Sequence, residues 1–130
     1  MADTESLPAR AQPRTASISN HVVRVLSEYT GRGPTKARTS IDGDLVCVLM
    51  RDTLTRGERS LVADGRAHVV LDMRKAFQMT MREDLIAGVE KIMGRKVIAF
   101  MSDNHIDPDF AAETFVLAPG PAGADNGQRA

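Results

Sequence analysis

The sequence predicts an α+β fold, a two-layer sandwich. Four mainly antiparallel strands carry helices on one face, in the order α-β-β-α-α-β-β. Three observations lead to it. Apolar residues recur at helical spacing over 17–30 and 67–93, four short segments have strand patterning, and Gly, Pro and Asp mark the junctions. The 130 residues suffice for one domain. It should span 16–118, between disordered tails over 1–15, rich in Pro and Arg, and 119–130, rich in Pro, Gly and Ala.

The first helix is expected over 17–30. Ile18, Val22, Leu26 and Tyr29 share one face, and Ser17 or Ser19 can cap the N-terminus. Gly31 suits a left-handed C-terminal cap, and Pro34 keeps the helix from resuming. "TKARTSI" then alternates, with Ala37, Thr39 and Ile41 on one face and Lys36, Arg38 and Ser40 on the other. Asp42-Gly43 signals a two-residue turn with positive φ at both central positions. "DLVCVLMR" is apolar on both faces, which predicts an inner strand with helices on one side and a further cover on the other.

"TRGE", Thr55 to Glu58, has capping-box spacing and opens a short helix to about Asp64, stopped near Gly65. A long helix follows over 67–93, with Val70, Met73, Phe77, Met81, Leu85, Val89 and Ile92 in its stripe and Gly94 at its end. At about 1.5 Å per residue it spans roughly 40 Å. A domain of about 100 residues has a radius of gyration near 13 Å. The helix should therefore kink near Met79-Thr80 or share its free stretch with a second subunit. "KVIAFMS" (96–102) and "ETFVLA" (113–118) are the last strands, joined through the turn-rich "DNHIDPD".

Composition narrows the function. Seventeen basic residues balance seventeen acidic ones, which argues against a dedicated nucleic-acid binder. No stretch approaches the roughly 20 apolar residues of a membrane span, and the N-terminus lacks a signal-peptide core. A single cysteine, Cys47, permits no internal disulfide and fits a reducing compartment. Its mid-strand position predicts a buried, unreactive thiol. A cytoplasmic protein without direct membrane insertion is expected.

"GRGPTK" superficially suggests a phosphate loop, but the polarity is inverted. A phosphate loop precedes a helix N-terminus, whereas this one trails a helix C-terminus. Arg32, Lys36 and Arg38 read first as solvated charges on an exposed strand face, and otherwise as a small basic surface for an acidic partner or a lipid headgroup. Asp103, His105, Asp107 and Asp109 stand at alternate positions, as cation ligands can, yet lack the Gly and Glu of an EF-hand loop. They read first as a solvated turn, with no resident metal or cofactor expected. His21 and His68 stand alone near helix starts, and no nucleophile has an identifiable base. Glu83, Asp84 and Glu90 read as the polar side of the long helix. Met73, Phe77 and Met81 read as core, and methionine also suits an adaptable protein interface.

"GRGP" after the first helix, "DGDLVCVLMRDTLTRGERSLV" and "GRKVIAFMSDNHIDPDFAAETFVL", in that order and spacing, resemble the MpsC-like family. That family is the small soluble C component of a Na+-translocating, membrane-potential-generating system, also catalogued as a domain of unknown function. The resemblance covers about 16–118 and implies no catalytic residues. It implies a cytoplasmic accessory or regulatory protein, non-enzymatic, with a membrane-protein partner. Together with the long helix it leads to an expected homodimer through that helix or a sheet edge. The alternative is a small-ligand or metal-binding enzyme built on the 103–109 loop.

Overall fold

All four strands pair antiparallel in the computed structural model, which describes residues 12–34 and 36–120. The stretches 1–11 and 121–130, where most of the two expected tails fall, lie outside the described residues, as does Thr35. The elements are α1 (Arg14–Thr30), β1 (Lys36–Asp42), β2 (Leu45–Arg51), α2 (Arg56–Ala63), α3 (Ala67–Met93), β3 (Val97–His105) and β4 (Phe110–Leu117). The sheet order is β1-β2-β4-β3, so β2 and β4 are central. The helices form the second layer, on one face only. The α+β class and the element order are those the sequence predicts.

Helix α1 begins three residues before the expected Ser17. Pro13, at φ −62° and ψ 149°, is its N-cap, and Ser17 N–H already donates to the Pro13 carbonyl at 3.1 Å. Proline removes only its own N–H from the donors of this end, and no side-chain hydrogen bond caps it. Ser17 and Ser19 are therefore interior, and Ser19 Oγ shares a 2.7 Å hydrogen bond with Thr39 Oγ1 of β1.

The first hairpin turn also shifts by one residue. Asp42 pairs with Leu45, so its central residues are Gly43 and Asp44. Only Gly43 has positive φ, at 61°, at the first central position, where a primed turn accepts glycine without strain. The corner is held by Arg95, which is 7% exposed. Its Nη2 donates to Asp44 Oδ1 at 2.5 Å and to the Ala118 carbonyl at 2.7 Å, tying the hairpin to the end of β4.

The Thr55 capping box is formed. Glu58 N–H donates to Thr55 Oγ1 at 3.1 Å, and Thr55 N–H to Glu58 Oε1 at 2.8 Å. Helix α3 runs as one element over its 27 residues. Its buried side chains concentrate in the second half, at Met81, Leu85, Val89 and Met93, while Met79 is 74% exposed. The first half carries α2 beside it. Strand β3 extends over the first three residues of "DNHIDPD", so the turn is 106–109, and β4 begins directly after it at Phe110.

The core joins the two layers. Val46, Val48 and Met50 of β2 and Phe115 and Leu117 of β4 meet Ile18 and Val22 of α1 and Leu85 and Val89 of α3. Full burial of each such side chain contributes about 1.5–3 kcal/mol. Phe100 and Phe115, directly cross-strand, pack as a tilted pair with ring centroids 5.0 Å apart and planes at 44°.

The α1–α3 contact has a steric centre. His21, unassigned in the sequence, is 9% exposed, and its Nε2–H donates to the Asp84 and Leu85 carbonyls at 3.1 and 3.2 Å. The imidazole lies against Gly88, where an added Cβ would stand inside the ring. Tyr29 Oη, one end further, donates to Asp84 Oδ2 at 2.5 Å.

Glycine within a helix ordinarily costs about 1 kcal/mol relative to alanine. Gly88→Ala should nevertheless destabilise this protein, by about 2 kcal/mol or more, because the ring must move. Urea unfolding of Gly88→Ala, His21→Ala and the double variant tests it. The double variant is expected to be more stable than the sum of the single effects. Additive losses would show that ring and methyl do not collide.

Candidate functional site

Two features outside the core offer chemistry: the sheet face away from the helices, and a cavity between the helices and the sheet.

The outer face follows from strand alternation and register. Side chains paired across antiparallel strands point the same way, so they form rows. From edge to edge these are Lys36–Arg51–Phe110–His105, Arg38–Leu49–Ala112–Asp103, Ser40–Cys47–Thr114–Met101 and Asp42–Leu45–Val116–Ala99. A register shift between Val97 and Ala99 leaves Ile98 63% exposed. Leu45, Leu49 and Met101 are 42, 40 and 53% exposed. The second cover expected over β2 is thus absent from the described residues. Cys47 is correspondingly on this open face and only half-buried, because Val46, Val48 and Met50 take the inward positions.

The cavity has a volume of about 250 Å³. Leu26, Met50, Phe77 and Met81 supply apolar walls, and Arg74, Glu58 and Glu113 supply charge. Arg74 uses its whole guanidinium. Nε and Nη2 form a fork on Glu58 at 3.0 and 2.7 Å, Nη1 donates to Thr53 Oγ1 and Asn104 Oδ1, and Nη2 also donates to the Thr53 carbonyl. Burial alone would raise the Glu58 carboxyl, but the Arg74 fork and the Thr55 amide and hydroxyl together hold it below its ordinary range.

Glu113, 2% exposed, points inward from β4 between Ala111 and Phe115. Its Oε1 has no hydrogen-bond partner, and neither has Ser102 Oγ, its direct cross-strand neighbour. Burial lifts the carboxyl to about 7, against the weaker opposing pull of the neighbouring Ser102 hydroxyl, which lies near it without a formed hydrogen bond, and of the Arg74 charge. The two glutamates at this cavity are therefore shifted in opposite directions, Glu58 towards its charged form and Glu113 towards its neutral form.

The residues singled out from the sequence separate into these surroundings. Met73, Phe77 and Met81 line the cavity, Met81 buried and Met73 at the exposed rim. Arg32 also lines it and pairs with Asp52 at 3.6 Å, its Nη1 donating to the Asp52 carbonyl. Lys36 and Arg38 are exposed on the outer sheet face, away from Arg32. Asp103 and His105 lie on the opposite edge of that face, where His105 Nδ1 bonds the Pro108 carbonyl at 2.7 Å. Asp109 instead accepts from Thr53 Oγ1 and Leu54 N–H, at 2.7 and 2.9 Å. Among the described residues no three His, Cys, Asp or Glu side chains converge as a cation site, so these four are not brought together. Of the expected solvated carboxylates on α3, Asp84 takes the Tyr29 hydroxyl and Glu90 Oε2 accepts from Val97 N–H.

Arg74, Glu58 and Glu113 were not singled out from the sequence as site residues. A signal existed for Glu113: in "FAAETFVL" it occupies the same face as Phe115 and Leu117, a charge in an inward register. No helix among the described residues is long and apolar enough to cross a membrane. A family model described as "Na+-translocating membrane potential-generating system (MpsC)" matches residues 12–119. No curated protein and no solved structure matches the chain.

The Glu113 environment has a pH consequence of defined sign. Its folded pKa is raised, so the folded state holds a proton that the unfolded chain has lost between about pH 4.5 and 7. Stability from this group is intact below pH 4.5 and is lost as pH rises through about 7. The difference amounts to roughly 3 kcal/mol at alkaline pH. Glu113→Gln should exceed wild type in stability at pH 8 by about that amount and approach it near pH 4, as read by urea midpoints. A gap independent of pH would place the buried proton elsewhere.

Proposed function

The chain belongs to the MpsC family, whose description is a Na+-translocating membrane-potential-generating system, and from that membership we propose that it serves such a system as a non-enzymatic accessory module. The carrying observation is the open sheet face with its exposed Leu45, Leu49, Ile98 and Met101. Apolar side chains left uncovered together mark an interaction surface. The polar groups a hydrolytic or metal mechanism would recruit are instead engaged in holding the fold: Arg74 with Glu58, Asp109 with Thr53, and His21 with the α3 backbone.

The occupant we assign to the face is a second copy of this chain. A two-fold axis parallel to the strands, passing between β2 and β4, lays β1 over the partner's β3 and β2 over the partner's β4, with rows in register. Arg38 then faces Asp103 of the partner subunit, twice by symmetry, since both stand in one row at opposite edges. Leu49 meets the partner's Ala112, a large side chain over a small one. Such a pairing is an aligned sheet-on-sheet packing with an isologous interface. With a formal net charge of +0, no overall repulsion opposes it. This route differs from a helix-borne dimer, for which the exposed Met79 on α3 would be the anchor.

Sedimentation equilibrium should return a mass twice 14.1 kDa. Arg38→Asp and Asp103→Arg should each weaken the dimer about tenfold or more, some 1.4 kcal/mol, and the double swap should restore it. A monomeric wild type, or a dimer broken by Met79→Glu but not by Leu49→Asp, would remove the sheet face from this role. The accessory role is read separately. In cells lacking the gene, wild type should restore a Na+-dependent membrane potential, measured with a potential-sensitive dye. An unchanged potential on gene loss would refute it.

A further inference from the structure

We propose that the cavity between α1, α3 and the sheet is a binding site for a small amphipathic organic amine, its ammonium group on Glu113 and its apolar body among the methionines. Nothing in the family description assigns a ligand to this region, and the site lies on the opposite face of the sheet from the surface proposed for dimerisation.

The recognition chemistry follows from which groups are already satisfied. Arg74 has committed its donors to Glu58, Thr53 and Asn104, so it offers no free fork to an anionic ligand. Arg32 is turned to Asp52. The other wall residues facing the cavity from α1 and β2 carry no charge: Leu26 and Thr30 from α1, Met50 from β2. From β3, Asn104 is neutral and already accepts from Arg74. With Glu58 neutralised by Arg74, the uncompensated group is Glu113, whose Oε1 is buried and lacks a donor. A carboxylate left so demands a donor, and a charged donor recovers most of its desolvation cost.

Shape and wall chemistry define the rest of the ligand. About 250 Å³ falls just under the roughly 300–1,000 Å³ of sites for drug-sized molecules, so the guest is smaller. Met50, Met73 and Met81 give adaptable, polarizable walls for an alkyl body. Phe77 adds a ring face that tolerates a cation near its path. The rim includes the exposed Thr30 and Met73, which leaves an entry route from solvent.

Binding of a cation requires Glu113 ionised. Its carboxyl, held neutral to about pH 7, is about one-tenth ionised at pH 6 and almost wholly ionised at pH 8.5. An alkylammonium, with a pKa near that of lysine at about 10.4, stays charged throughout. The amine should therefore bind about tenfold more tightly at pH 8.5 than at pH 6, and should release a proton on binding at the lower pH.

The test is calorimetric titration of the full chain with n-hexylamine, n-hexanol and n-hexanoate at pH 6 and 8.5. Two buffers of different ionisation enthalpy count the protons released. The expected result is tightest binding of hexylamine at pH 8.5, a loss of about tenfold at pH 6, and proton release there. Glu113→Gln should abolish the preference for amine over alcohol and the pH dependence. Hexanol or hexanoate binding as well as hexylamine, an affinity for the amine independent of pH, or an unaltered Glu113→Gln would each overturn the proposal. Should that variant not fold, the wild-type series alone decides. The readout does not depend on subunit number, so it stands apart from the fate of the dimer.

Discussion

The spacing between α1 and α3 is set at Gly88. Without a side chain there, the His21 ring drops onto the α3 backbone and its Nε2–H is shared by two carbonyls. That contact draws the second half of α3 against α1, and the stripe Met81, Leu85, Val89 and Met93 closes over the sheet. The first half has no equivalent anchor on α1. Leu26 and Thr30 at the end of α1 face Phe77 and Gln78 across the cavity instead. A close approach at one end of a rigid helix thus leaves room at the other, as ridge-and-groove packing of stiff rods requires.

The room is stabilised by a polar floor. The Arg74 fork joins α3 to α2 through Glu58 and to the loop after β2 through Thr53, while Thr53 donates onward to Asp109. A buried pair is tolerable when its remaining donors and lone pairs are filled, and here each donor of the guanidinium is used. Glu113, on the same cavity, has the opposite environment. It has burial without a closed hydrogen bond, and so a raised carboxyl where Glu58 has a lowered one. The contrast is one of partners: both carboxyls are buried glutamates, and only one has an arginine fork. Buried polar groups left unsatisfied weaken a fold, so the Glu113 position costs stability where the Glu58 position does not.

Much of this architecture was legible in the sequence because it is written in local periodicities. The stripe from Val70 to Ile92, the Thr55–Glu58 box and the alternation in "TKARTSI" each fix an element through near neighbours, and α3 runs over the very residues expected. The shifts are also physical. Helix α1 starts early, after Pro13, whose fixed φ of −62° suits the entry to a helix. Gly43 occupies the first central position of the turn, so the pairing advances by one residue. The candidate site was legible only in part. Met73, Phe77 and Met81 were visible as a stripe, but the arginine that organises them pairs with Glu58 sixteen residues away and with Asn104 thirty residues away. No periodicity encodes such pairings. The 103–109 acids illustrate the converse: Asp103 and His105 share one face of β3, but Asp107 falls in the turn after it and Asp109 is drawn to Thr53 and Leu54, so regular spacing along the chain does not converge on one point.

Strand β4 is the element common to both surfaces. Its inward side carries Glu113 and its outward side Ala112 and Thr114, so cavity and outer face are separated by the thickness of one sheet. Proximity does not by itself couple them. Coupling needs an element with two arrangements that each site biases differently. β4 is hydrogen-bonded along both edges, to β2 and to β3, and a slip by one residue would turn every buried side chain outward. Such a strand has a single register. Charging Glu113 changes the electrostatics of the cavity without offering β4 a second pairing. Under the proposed dimer and the proposed amine site, the inner side would answer to proton and ligand and the outer side to the concentration of the chain itself, each independently of the other.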